Sequence, residues 1–264
     1  MTDAVSQRLA LFVHFLRIES KSYMKTPAAI FWTFFYPILM FFVLFAIFGT
    51  AGRGRPGLSY ADYLISGLAV MTAISASMFG VAAALIEHKA NARLWLFEFM
   101  PFHKGIFIAG LAASRVIILT IFFLVFIGAF SRLAPTANAV TPWNLLLLVT
   151  LLASAALVLV GAGLLLAALI DRPGVGYAVS NVINVPIIFL SDLFLPAALF
   201  PKWLASAIQL SPFLALVNTV RAVYAGEYSG STIAATIAAL LVVGLAVIAL
   251  ASRLITLRPR MVAT

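Results

Sequence analysis

The stretch Leu145-Leu-Leu-Leu-Val-Thr-Leu-Leu-Ala-Ser-Ala-Ala-Leu-Val-Leu-Val-Gly-Ala-Gly-Leu-Leu-Leu-Ala-Ala-Leu-Ile170 holds no charged residue. It is entered through Pro142-Trp143 and closed by Asp171-Arg172-Pro173. About 20 consecutive apolar residues suffice for a helix to cross the hydrocarbon of a bilayer, and this run has 26. Similar runs cover 28–49, 63–86, 105–130, 176–195 and 231–252. Residue Arg115 interrupts the third span. The reading is an all-α integral membrane protein with six transmembrane helices, the whole of 1–264 forming a single transmembrane domain.

Composition agrees. The 264 residues are 64% apolar and 9% charged, with a mean hydropathy of +1.14. An ordinary soluble domain is roughly half apolar and a quarter charged. A water-soluble enzyme, a disordered regulator and a nucleic-acid-binding module are excluded. The net charge of +9 is scattered along the chain, so it makes no basic patch for nucleic acid. Basic residues at helix ends instead suit membrane lipid with anionic headgroups. Cysteine is absent, which removes disulfides and thiolate metal sites. His14, His88 and His103 stand too far apart for a local metal motif. The chain has neither a Gly-x-x-x-x-Gly-Lys-Ser/Thr loop nor a His-Glu-x-x-His pair, so no catalytic residue, metal or cofactor is assigned to it. Gly161-Ala-Gly163 reads as a packing device within an apolar helix.

Six spans put both termini on one side. With the termini inside, eleven of the seventeen Lys and Arg are cytoplasmic and five lie outside, the bias expected of the positive-inside rule. Residues 1–27 are not a signal peptide, because the apolar run 9–16 is short and contains His14. On a helix, His14, Arg17, Lys21 and Lys25 share one face, and Val5, Leu9, Phe12 and Leu16 line another. That pattern predicts an interfacial helix with its apolar face in the acyl boundary; a solvated cytoplasmic lead-in is the other reading.

Two segments between spans stand out. Residues 87–104 carry Glu87, Lys89, Arg93, Glu98 and Lys104 around Leu94-Trp95-Leu96-Phe97. The mixture predicts a short amphipathic helix on the cytoplasmic surface. Residues 196–230 are too apolar for a solvated loop, yet Pro196, Pro201 and Pro212 divide them. They either pack against the bundle or dip back into the membrane from outside.

Ionisable groups at membrane depth are functional candidates by default. Arg115 either snorkels toward the interface or pairs inside the bundle. Asp192 is either a hydrated boundary residue or part of a substrate path. Gly176, Ser180 and Asn184 recur every four residues as a small polar stripe flanked by Asn181 and Ser191, with a kink expected at Pro186. Helix packing and a translocation path both account for that stripe.

The strongest local motif is Phe189-Leu-Ser-Asp-Leu-Phe-Leu-Pro-Ala-Ala-Leu-Phe-Pro-Lys-Trp-Leu204, followed by Leu210-Ser-Pro-Phe-Leu-Ala-Leu-Val-Asn-Thr-Val-Arg221. With Glu87 opening the cytoplasmic segment and Met100-Pro101 before span three, the chain resembles the permease subunits of ABC exporters of the ABC-2 (type V) class. Asp192 stands where that class usually has Gly, Ser211 where it has Asn, and Asn218 where an acid is common. The resemblance implies a short cytoplasmic coupling helix within 87–104 that contacts separate ATP-binding subunits through Glu87, His88, Lys89, Arg93 and Glu98. It also implies two Pro-broken re-entrant helices at the outer exit, within 196–230. Asn181, Asn184, Ser191, Asp192, Trp203 and Arg221 are then candidates for the translocation path or its cap. ATP and magnesium belong on the partner subunits, a second permease chain completes a dimer (a homodimer first), and the complex sits in the inner (plasma) membrane.

Under this reading the chain itself is no enzyme. It is the transmembrane subunit of an ATP-driven exporter of a hydrophobic or amphipathic cargo, such as a drug-like molecule, a lipid or a lipid-linked glycan. The alternatives are a secondary transporter without an ATPase partner and a membrane-embedded enzyme. The first needs a midplane acid or ion site, and the second needs a nucleophile–base set.

Overall fold

A computed structural model describes residues 2–49, 58–90, 104–134, 140–189, 191–193 and 201–255. All regular structure in these residues is helical. Helix α1 (Thr2–Met24) is followed by α2 (Pro27–Ile30), a π-helical turn (Phe31–Phe35) and α3 (Tyr36–Phe48). Next come α4 (Tyr60–Ser75), a π-helical segment (Ala76–Ala83) and α5 (Ala84–Ala90), which together make the second span. The third and fourth spans are α6 (Lys104–Leu133) and α7 (Pro142–Leu169). Then follow α8 (Pro173–Phe189), the short helices α9 (Lys202–Gln209) and α10 (Pro212–Ala225), and α11 (Gly230–Leu254).

Five helical stretches among the described residues are long and apolar enough to cross a membrane. The expected fifth span is the shorter α8, and the chain turns at 191–193 rather than running helically to 195. The second span starts at Tyr60, earlier than the apolar run suggested, because Asp62 works as a cap instead of a boundary. Ser59 is the N-cap, accepting from the Asp62 N–H at 3.2 Å, while Asp62 Oδ2 accepts from the Ser59 N–H at 3.1 Å. This reciprocal box satisfies two donors that a helix start otherwise leaves open.

The second span is the axis of the bundle: 76% of its most apolar stretch is buried, against 17% for the first span and 11% for α11. In water, the exposed Trp32, Phe35, Phe42 and Ile47 of the first span and Val242 and Leu245 of α11 would be untenable. Lipid or another apolar chain must cover such faces. A phenylalanine ladder joins the first and third spans, with Phe41 and Phe130 centroids 4.7 Å apart, and Phe126–Phe130 and Phe122–Phe126 at 4.7 and 5.1 Å.

Helices α7 and α11 meet through glycine, as the Gly161-Ala-Gly163 reading expected. A Cβ on Gly161 would lie 2.8 Å from Val247 Cγ1, and one on Gly244 2.9 Å from Leu157 Cγ. Gly161→Leu is expected to force these helices apart and to cost about 1–3 kcal/mol, the usual penalty of overpacking. A thermal melt in detergent reads this as a lowered midpoint, and an unchanged midpoint counts against close α7–α11 packing.

The first π-helical turn has a local cause. Pro37 has no N–H to give the Thr33 carbonyl, and one residue earlier the Tyr36 N–H already reaches back five residues to Phe31 O.

Candidate functional sites at the two ends of the second span

Near its start, the second span supplies Tyr63 to a buried ion pair. Arg221 of α10 donates from Nη1 to Asp192 Oδ2 at 2.9 Å and from Nη2 to the Asp192 carbonyl at 2.7 Å. The Tyr63 hydroxyl donates to the same carbonyl at 2.8 Å and to Oδ1 at 3.1 Å. Its ring lies 3.7 Å beneath the Arg221 guanidinium carbon. Asp192 and Arg221 are 1% and 2% exposed, so their charges are balanced by each other rather than by water.

The turn that presents Asp192 is left-handed there, at φ 55°. Asp and Asn tolerate this region better than other non-glycine residues. A glycine would fit the backbone but leave Arg221 without its carboxylate. The turn also sits in a notch. A Cβ on Gly67 would fall 2.1 Å from the Leu193 carbonyl oxygen, so only glycine on α4 lets the turn approach. Tyr63 and Gly67, one helical turn apart, thus hold the same three residues.

The other candidates on this side divide. Ser191 is buried and donates to the Ile187 carbonyl. Asn184 is buried against Ser75 of α4, with a 3.4 Å contact. Asn181 is exposed and donates to Tyr177 O of its own helix. Trp203 is 72% exposed on α9. Neither of these last two joins the Asp192 cluster. The Gly176–Ser180–Asn184 stripe packs on the second span: Gly176 faces Ile86, and the Ser180 hydroxyl donates to Met78 O at 3.3 Å.

At the other end of the span, Arg115 is turned inward, 4% exposed. It donates from Nε to the Gly80 carbonyl at 3.2 Å, from Nη1 to Glu19 O at 3.2 Å, and from Nη2 to Glu19 Oε2 at 3.4 Å. The guanidinium carbon stands 4.3 Å over the Tyr23 ring. Glu19 Oε1 in turn faces His88 Nε2 at 3.7 Å. Burial pushes the Tyr23 phenol above its ordinary range, against the opposing pulls of its Thr33 hydrogen bond and of Arg115. It therefore stays neutral at physiological pH.

Helix α1 does present His14, Arg17 and Lys21 on an exposed face, and Lys25, just past its end, is exposed as well. The stripe it packs on the bundle is a different one from Val5–Leu9–Phe12–Leu16, the face expected to meet lipid. Val5 and Leu9 are 65% and 61% exposed, whereas Phe15, Glu19 and Tyr23 are buried. Gly110 of α6 explains the register: a Cβ there would meet Phe15 Cβ at 2.9 Å, so α1 lies close on α6 at that point.

Of the expected partner-facing residues, Glu87 is exposed and His88 half-buried. Lys89 is a correction. It is 6% exposed and points into the bundle, donating to Ala167 O at 2.8 Å, Ile170 O at 3.3 Å and Asp171 Oδ1 at 2.7 Å. An ammonium on the last carbonyls of α7 caps that helix and meets the negative end of its dipole, which leaves no free face for a partner. Arg93 and Glu98, the loop 50–56 and the tail Arg258 and Arg260 lie outside the described residues.

Glu19, Tyr23, Tyr63 and Gly67 went unmarked in the sequence. The signal for Glu19 was available: a cation in the middle of a span requires an acid, and Glu19 sits four residues from Phe15 and from Tyr23 on one stripe. No pattern in the sequence pointed to Tyr63 or Gly67.

Among the described residues no group of His, Cys, Asp or Glu could hold a metal ion. What the two clusters do chemically is hold helices together with buried charge. A search of curated proteins finds no match to the chain. The family model described as ABC-2 type transporter matches residues 10–225, which takes in both clusters. This is a multi-pass membrane protein and a permease component of ABC-type transport, a kind that works with ATP-binding subunits: the chain belongs to the ABC-2 type transporter family.

Proposed function

We propose that the chain is the transmembrane subunit of an ATP-driven exporter, powered by separate ATP-binding subunits docked on its cytoplasmic face. The observation that carries this reading is the disposition of buried acids. Glu19 and Asp192 are each neutralised by an arginine of the same chain, and Asp62 caps a helix. None is left as the titrating or ion-binding site that a secondary transporter needs. The driving energy then comes from a partner. Glu87, with His88 beside it, opens the segment that the partner would engage, and the end of α11 lies close to the segment's other end, with Lys104 donating to the Ile255 carbonyl at 2.7 Å. The cell inner (plasma) membrane is the expected site.

A second copy of the chain covers the apolar faces left open on the first span and on α8, where Val175, Val182 and Val185 are exposed; the homodimer is the simplest assembly. Asp192, Arg221 of α10 and Tyr63 of α4 form a pin at the outer exit. The cargo is hydrophobic or amphipathic, in keeping with a sequence whose 22 Phe far outnumber its 7 Tyr and 4 Trp.

Isolation of the tagged chain from its native membrane in mild detergent tests this. ATP-binding subunits are expected to co-purify in stoichiometric amounts. A folded chain that purifies alone would overturn the reading. At the docking surface, Glu87→Lys is expected to alter stability by no more than about 1 kcal/mol, as for exposed charges generally, while lowering export per ATP hydrolysed. Equal coupling in the variant and the parent would remove Glu87 from the contact.

A further inference from the structure

One continuous helical rod, 60–90, carries both clusters. Tyr63 near its start holds Asp192 beside Arg221, and His88 near its end faces Glu19. Between them, residues Ala76–Ala83 are π-helical. Such segments are rare and are frequently found at functional sites.

Here the carbonyls are met from three neighbouring helices. Met78 O accepts from Ser180 of α8 at 3.3 Å, and Gly80 O accepts from Arg115 of α6 at 3.2 Å. Ser77 O faces Gly163 of α7, where a Cβ would lie only 2.4 Å away. The first span's π-helical turn reaches the same place, because Thr33 bonds Tyr23, whose ring underlies Arg115 and whose edge would meet a Cβ on Gly80 at 3.1 Å. Each residue gained or lost between π and α winding turns one end of a helix against the other by roughly 100°, the angular step of an α-helix.

We propose that Arg115 and Ser180 are positioning residues that hold a twist joint in the second span. Movement at the Glu87–His88 end passes through this joint to the Tyr63–Asp192–Arg221 pin. The inference rests on the reading above, that the Glu87 end meets an ATP-binding partner. It adds the route by which that partner's work reaches the exit. Arg115 suits the role because one guanidinium grips both the joint (through Gly80 O) and α1 (through Glu19). Ser180 grips it from the fifth span.

The test uses Leu193→Cys in this cysteine-free chain. Leu193 is 1% exposed and adjoins Asp192, so its labelling by a maleimide reports opening of the pin. The complex with its ATP-binding subunits is placed in nanodiscs and labelled with and without ATP plus vanadate. In the parent, nucleotide is expected to change the labelling rate about tenfold, a modest shift of a two-state balance. Arg115→Lys keeps a cation for Glu19 but has no guanidinium fork to reach Gly80 O as well. Ser180→Ala removes a single hydrogen bond. Each should cut the nucleotide response to about twofold or less, while ATP hydrolysis and assembly persist.

A merely structural role would lower stability without uncoupling labelling from nucleotide. Full responses in both variants overturn the inference. If Arg115→Lys fails to assemble, Ser180→Ala decides alone. A parent complex that hydrolyses ATP with no labelling response overturns the joint and leaves the ATP-driven reading standing. Failure of any ATP-binding subunit to associate overturns both.

Discussion

Gly67→Ala is expected to be among the most damaging conservative substitutions in this chain. Its new Cβ would lie 2.1 Å from the Leu193 carbonyl oxygen, well inside any real contact. The obstacle is backbone, so no side-chain rotation relieves it. Either α4 or the turn at 191–193 must move, and both Tyr63 hydrogen bonds to Asp192 depend on their present spacing. Overpacking alone costs about 1–3 kcal/mol, and loss of buried hydrogen bonds to a charged group adds about 1.5–3 kcal/mol. The melting midpoint in detergent should fall well below that of a control such as Gly230→Ala, where a Cβ meets open space. Equal midpoints for the two variants would show that the turn does not sit in the α4 notch.

The second large effect is expected at Arg221. Removing one partner of a buried ion pair costs about 3–5 kcal/mol, because the remaining charge is stranded, whereas replacing both is often close to neutral. Arg221→Met should therefore destabilise strongly. Arg221→Met with Asp192→Asn should recover much of the loss, since Asn accepts the left-handed backbone at 192 as readily as Asp. The sign of the interaction is the informative quantity. Additive losses in the double variant would mean that Asp192 and Arg221 do not act as a pair.

The positions of the spans were legible because a bilayer demands length and apolarity, and the runs around 145–170 and 231–252 meet both demands outright, while 105–130 meets them apart from Arg115. Helix ends were less so. Asp62 looked like a boundary because it is charged, yet three residues after Ser59 it serves as the reciprocal cap. Lys89 looked like part of a surface charge run, and its destination on the α7 carbonyls depends on a fold contact 78 residues away. Arg115 announced itself by its cost at depth, but its partner Glu19 lies 96 residues off on an element outside the spans.

The π-helical stretches show the same limit from the backbone side. Pro37 gives a local reason for the first. The segment 76–83 has no proline and only Gly80 as a weak helix former; two of its carbonyls are met by Ser180 and Arg115 on other helices. Asp192 falls between these cases. The departure from the expected pattern flagged the position, and a φ of 55° is backbone that Asp tolerates better than most side chains do. The choice of Arg221 as its partner emerged only from packing.

The most direct test of the central claim is transport in inside-out vesicles of the native membrane, with the permease present or deleted and a fluorescent amphiphile as the probe. Accumulation of the amphiphile that requires ATP, stops with vanadate, persists with a protonophore and disappears with the permease is the expected result. Permease-dependent accumulation that follows an imposed proton gradient without nucleotide would contradict an ATP-driven exporter.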